Sequence, residues 1–196
     1  MIRLSSLANY ATVALLTLGA ITLSACSPSS APDPNARKVI SACLAVTNSQ
    51  AEQILGVKDL TAYKLSGDAS PVKVCQYADD KGTAYGLLTI QDASKITDPV
   101  ANLNADAEQN KTLFKNNLKP IVIHPADGFG PGAFYVDNTT GPDSSSVQLR
   151  LIQNGFKILA QVNNPKDFAT GEKQAAAMAN QAFENLKNGT ALQIVK

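Results

Sequence analysis

Ser146-Val147-Gln148-Leu149-Arg150-Leu151-Ile152-Gln153-Asn154-Gly155-Phe156-Lys157-Ile158-Leu159-Ala160-Gln161-Val162 is the stretch that decides the fold class. Asn154-Gly155 suits a type I′ turn, in which both central residues need positive φ. Val147, Leu149 and Leu151 alternate on one arm, and Phe156, Ile158, Ala160 and Val162 alternate on the other. A period of two marks strands with one buried face. The stretch therefore predicts an antiparallel hairpin.

Upstream, Thr47-Asn48-Ser49-Gln50 fits a capping box and predicts a helix over 48–55. Ala51, Ile54 and Leu55 give it an apolar face, and Gly56 a stop. Residues 72–77 and 83–90 read as strands joined by the turn cluster Asp79-Asp80-Lys81-Gly82. Asp98-Pro99 is a helix start, a capping acceptor followed by proline at the first helical position. Val100, Leu103, Ala107 and Phe114 share one face of this helix, which should run to about residue 117. It is otherwise polar, so it is expected on the outside of the sheet. Short strands are expected at 121–123 and 133–136, with 138–146 as a long polar hairpin loop.

Downstream, Pro165 ends the sheet run, and Thr170 is the expected cap of a last helix. Ala175, Met178, Ala179, Ala182, Phe183 and Leu186 form its apolar stripe. Asn188-Gly189 ends it, and 192–195 reads as a final strand. Strands and helices in this order predict an α+β domain, an antiparallel or mixed sheet with helices packed on it.

The chain has 196 residues, 44% of them apolar and 17% charged, which is one globular domain's worth. Seventeen basic against 16 acidic side chains leave no basic field, which argues against a nucleic-acid partner. One His and no Trp leave little for metal or acid–base chemistry.

Residues 1–25 read as a leader, with Arg3 as a short positive region and an apolar run over 11–21. That run is shorter than the roughly 20 apolar residues of a membrane span. Leu23-Ser24-Ala25-Cys26 follows and resembles the bacterial lipobox. The resemblance implies a diacylglycerol on the Cys26 thiol and a second acylation, for example by palmitate, at the freed amine. Two or three chains hold a protein stably where one does not. The alternative is an ordinary secretory signal cleaved after Ala25, but Leu23 is bulky for such a site. Residues 26–40 are expected to be the acylated cysteine and a flexible tether, Ser/Pro-rich over 27–36, with the domain over 41–196. The leader takes Arg3 with it, so the remaining charges balance and attachment would rest on lipid alone. This places the protein outside the cytoplasm, on the cell membrane, or on an outer membrane facing the periplasm if the host has one.

With Cys26 committed, Cys43 and Cys75 remain as an even pair in an oxidising compartment. A disulfide between them would close a loop of about 33 residues and contribute about 3.5–4 kcal/mol in the chain-entropy model. Two separate buried thiols are the alternative.

Several segments fall in a familiar order. Cys43-Leu44 leads into the Thr47 helix ending Ile54-Leu55-Gly56. Cys75-Gln76-Tyr77 and Gly128-Phe129-Gly130-Pro131-Gly132-Ala133-Phe134 follow, then the Gly155 hairpin and the Ala-rich last helix. Together they resemble small actinobacterial lipoproteins built around a domain of unknown function, similar in fold to the PsbP-like α/β/α sandwich. Pro131-Gly132 and Tyr77 depart from the family's Asp-Ala and commoner Trp. The resemblance implies a fold and a compartment, and no catalytic residues.

Candidate chemistry is sparse. A phosphate loop needs a following helix, whereas a strand pattern follows Gly132, so the glycines read as a turn allowing close backbone approach. His124, at a strand end, reads as a loop or packing residue; the alternative is a hydrolase. Asp79-Asp80 and Asp137-Asn138 could each touch a cation, but adjacent carboxylates in a turn are usually just solvated, and no metal or other cofactor is expected. Asn138-Thr139-Thr140 matches a glycosylation pattern that a bacterial lipoprotein rarely meets. Tyr77, Phe129, Phe134 and Tyr135, with Tyr63 and Tyr85, are candidate pocket-lining residues between sheet and helix. The reading is a non-enzymatic binding or assembly module of the cell envelope, with an envelope protein or other ligand as partner. The alternative is a carrier of an apolar ligand or lipid.

Overall fold

The computed structural model describes residues 37–116, 119–141 and 144–195. The leader, Cys26 and the tether up to residue 36 lie outside the described residues. Among the described residues no helix is long and apolar enough to cross a membrane.

The elements are β1 (Arg37–Ile40), α1 (Ala42–Ala45), α2 (Asn48–Leu55), β2 (Thr61–Lys64), β3 (Val72–Ala78) and β4 (Ala84–Asp92). There follow α3 (Pro99–Leu113), β5 (Val122–Pro125), β6 (Phe134–Gly141), β7 (Ser144–Gln153), β8 (Phe156–Asn163), α4 (Phe168–Lys187) and β9 (Leu192–Val195). The fold is α+β: an antiparallel seven-stranded sheet in the order β2-β3-β4-β8-β7-β6-β5, with the helices packed on it. β1 and β9 form a separate antiparallel pair.

The local signals act as the sequence predicts. Asn154 and Gly155 both have positive φ, 52° and 77°, and join β7 to β8. Thr47 and Gln50 close the capping box on α2. The Asp98 carboxylate accepts from Ala101 N, with Pro99 next in the chain.

The main core lies on one face of the sheet. Cys75, Tyr77, Leu88, Ile90, Val147, Leu149, Leu151, Ile158, Ala160 and Val162 meet Ala45, Val46, Ala51, Ala175, Met178, Ala179 and Ala182 of the α1–α2 and α4 layer. Side chains tie the helix ends together. Asn185 Nδ2 donates to Ala45 O at 3.0 Å, Gln174 Nε2 to Leu55 O at 3.0 Å and Tyr77 Oη to Val46 O at 2.7 Å. α4 approaches so closely that a Cβ on Gly171 would sit 2.6 Å from Val147 Cγ2 and 2.9 Å from Pro165 Cγ. Cys43 on α1 and Cys75 on β3 form a disulfide with Cα atoms 5.1 Å apart.

α3 covers the opposite face at the β6–β7 side. Its apolar contribution is a small cluster of Leu103 with Phe134 and Val136. Its other contacts are polar. Lys157 Nζ lies 2.7 Å from Asp106 Oδ2 and donates to Asn102 Oδ1 at 2.7 Å. Arg150 lies 3.7 Å from Asp106 and donates to Asn110 Oδ1 at 3.3 Å. Asn102, Asp106 and Asn110 recur every four residues and so share one helix face. The weak amphipathy of this helix thus has a cause: the face turned to the sheet is itself polar.

Four expectations change. Residues 37–40, expected to belong to the tether, form β1 and pair with β9. The segment 138–146 is not a long loop: β6 and β7 run through it, with Asn138 paired to Ser146 and Gly141 to Ser144. Polar residues tolerate a strand whose backbone is paired, so their composition misleads. The last helix is capped by Asp167, whose carboxylate accepts from Thr170 N at 2.6 Å, so Thr170 lies inside the first turn. α3 ends at Leu113 rather than near 117.

Candidate functional site

The β5–β6 edge is where the candidate residues converge. Its connecting segment is folded back by Ala126 N donating to Ala133 O at 2.9 Å. Gly132 has φ 77°, and a Cβ there would lie 3.2 Å from Val100 Cα. The glycine segment therefore rests against the first turn of α3 and leads into a strand, in keeping with close backbone approach rather than a phosphate loop.

Between this segment, α3 and the sheet lies a cleft of about 580 Å³. Ala107 and Asn104 of α3 line one side, Ile123 and Phe134 the other, and Pro125, Ala126 and Pro131 the end. That volume is within the range of small-molecule sites. Another cleft, about 670 Å³, lies between the β7–β8 turn and the end of α4, lined by Asn154, Phe156, Phe183 and Glu184 among others.

The four aromatic candidates do not share one pocket. Tyr77 is fully buried in the main core, where burial pushes its hydroxyl pKa up. Phe129 also packs into that core. Phe134 turns to the α3 side and lines the cleft. Tyr135, its neighbour on the strand, turns to the other face, where its ring lies 5.4 Å from the His124 ring. Of the two remaining aromatics, Tyr63 is exposed on β2 and Tyr85 Oη donates to Asp79 Oδ2 at 3.2 Å. Asp79 Oδ1 accepts from Thr83 N at 2.8 Å and Lys81 N at 3.0 Å. The Thr83 N–H above all holds the Asp79 carboxyl below its ordinary range, and the group organises its own turn.

Beside the cleft, whose lining includes His124, three ionisable residues meet. His124 on β5 is paired to Tyr135, and Val122 to Asp137, so His124 and Asp137 share a face. Glu172 reaches them from the first turns of α4. His124 Nε2 lies 3.3 Å from Glu172 Oε1 and 3.6 Å from Asp137 Oδ2. One ligand atom from each of the three lies within 4.8 Å of the others. Asp137 is 7% exposed, and its Oδ1 is buried with no hydrogen-bond partner among the described residues. Burial, and then the nearby Glu172 charge, raises the Asp137 carboxyl above its ordinary value, with His124 acting in the opposite direction.

The sequence picked out His124 and Asp137 separately and missed Glu172. No local pattern signals it, because its role depends on how α4 docks.

No protein-family model matches the chain, and comparison with curated proteins finds no relative. Among solved structures, protein Ms6760 from Mycobacterium smegmatis is similar at 13% identity, over 77% of this chain and 87% of that one, with a TM-score of 0.19. A likeness that low carries no structural or functional argument.

Proposed function

We propose that this protein is a non-enzymatic binding module of the cell envelope. It is anchored by lipid on Cys26 to the cell membrane, or to an outer membrane facing the periplasm, and has no nucleic-acid partner. The cleft between α3 and the β5–β6 edge is its ligand site, and the ligand is a small, largely apolar molecule. The observation that carries this reading is the cleft's lining, in which Ala107, Ile123, Pro125, Ala133 and Phe134 outnumber the polar side chains. The Cys43–Cys75 disulfide supports an oxidising compartment. Helices on both faces of the sheet support kinship with the PsbP-like sandwich of actinobacterial lipoproteins.

The test uses the detergent-extracted lipoprotein and anilinonaphthalene sulfonate as an apolar probe. The wild type is expected to bind one equivalent with enhanced fluorescence, and Ala107→Trp, which fills the cleft, to lose it. Equal binding by both refutes the site. Lipid labelling of the wild type but not of Cys26→Ser is expected; identical membrane partitioning of the two refutes the anchor.

A further inference from the structure

We propose that His124, Asp137 and Glu172 form a binding site for a divalent transition metal of the zinc class. The site shares His124 with the lining of the cleft, whereas Asp137 and Glu172 lie outside that lining, and its argument does not use the cleft's function. Its three donors come from three elements, β5, β6 and α4, and converge on one point.

The spacing suits a metal. A tetrahedral ion with ligand bonds of about 2.1 Å sets its ligands about 3.4 Å apart. The imidazole nitrogen stands at 3.3 Å and 3.6 Å from the two carboxylate oxygens, on either side of that value. A protonated imidazole bridging both carboxylates fits less well. One N–H can point at only one oxygen, and charge-assisted bonds of this type close to about 2.7–2.9 Å. Neither contact is that short.

A second observation is independent of the spacing. Asp137 Oδ1 is buried without a hydrogen-bond partner among the described residues. A buried carboxylate oxygen in that state is costly unless something positive meets it. A cation held by the carboxylate would supply the missing charge.

The donor set narrows the metal. Imidazole suits zinc, copper, nickel and iron, whereas calcium and magnesium prefer all-oxygen shells. Three protein ligands leave a fourth position, and the partial exposure of His124 and Glu172 turns it toward solvent, with Asp137 as the buried anchor. Such an ion would pin the first turns of α4 to the four-residue edge strand β5.

The test is calorimetric titration of chelator-stripped, detergent-extracted lipoprotein with Zn²⁺, and with Co²⁺ as a spectroscopic probe. One ion per chain is expected, with a raised melting temperature and the visible bands of tetrahedral Co²⁺. His124→Ala, Asp137→Asn and Glu172→Gln should each weaken binding by about 100-fold or more, since even outer-shell changes cost 10–100-fold. Glu108→Gln, on α3, should bind like the wild type. Glu172 lies partly exposed on a helix, so its variant keeps the fold, as checked by circular dichroism. Failure to bind Zn²⁺, or binding unchanged in the folded Glu172→Gln protein, overturns the site. So does a His124 nitrogen resonance that ignores added metal. Probe binding in the cleft is read separately, on Asp137→Asn and Glu172→Gln, because these two residues lie outside its lining and His124 does not.

Discussion

Reducing the Cys43–Cys75 bond should cost this domain a large share of its stability. The cross-link spans 32 positions. The chain-entropy relation for a loop of that length gives about 3.7 kcal/mol at 25 °C. Native proteins hold only about 5–15 kcal/mol in total. For a chain of this size, about 2–4 °C is lost per kcal/mol, so the melting temperature should fall by about 7–15 °C. The cleanest comparison is oxidised against reduced wild type in urea. A Cys43→Ala/Cys75→Ala variant also removes sulfur from the core, since Cys75 is fully buried. Reduction should lower the midpoint and steepen the dependence on urea, because the denatured chain expands. A loss below about 1 kcal/mol with an unchanged slope would show that the bond does not constrain the unfolded chain, and would refute the reasoning.

Other expectations follow from particular contacts. Gly171→Ala should destabilise by about 1–3 kcal/mol through overpacking against Val147 and Pro165; helix propensity alone would make it stabilising by about 1 kcal/mol, so the sign of the melting shift decides. Asp106→Asn should cost about 1–3 kcal/mol in urea denaturation, less than a fully buried pair because Asp106, Arg150 and Lys157 keep 15–22% of their side-chain surface. Tyr77→Phe should lose about 1 kcal/mol with its bond to Val46 O and leave probe binding untouched; a change in probe binding would return Tyr77 to the ligand site. The Thr170 N–H holds the Asp167 carboxyl below its ordinary range, so that cap's contribution is present above about pH 4 and fades as the pH falls through the depressed value. Melting temperatures between about pH 2.5 and 6 should therefore fall less toward acid in Asp167→Ala than in the wild type.

What could be read from the chain was local. Asn154-Gly155, the Thr47–Gln50 box and Asp98-Pro99 each act within a few residues, and each lies where its chemistry predicts. What escaped was set by distant partners. Residues 37–40 resemble a tether until β9 is beside them. The half-buried polar stripe of α3 makes sense only opposite Arg150 and Lys157. Strand alternation was legible, yet it sends Phe134 and Tyr135 to opposite faces and so divides the expected aromatic pocket. Glu172 joins His124 and Asp137 only through the docking of α4.

The pairing of β1 with β9 also has a mechanical meaning. Arg37 lies opposite Val195, so the chain enters and leaves the domain at the same end of one strand pair. A pull between those two points would peel the pair open one hydrogen bond at a time, like a zip, at low force. Peeling from the Arg37 side runs only to Cys43, where a covalent bond to β3 passes the load to the seven-stranded sheet. On the Arg37 side, the first strand can thus yield as a shock absorber before load reaches the sheet.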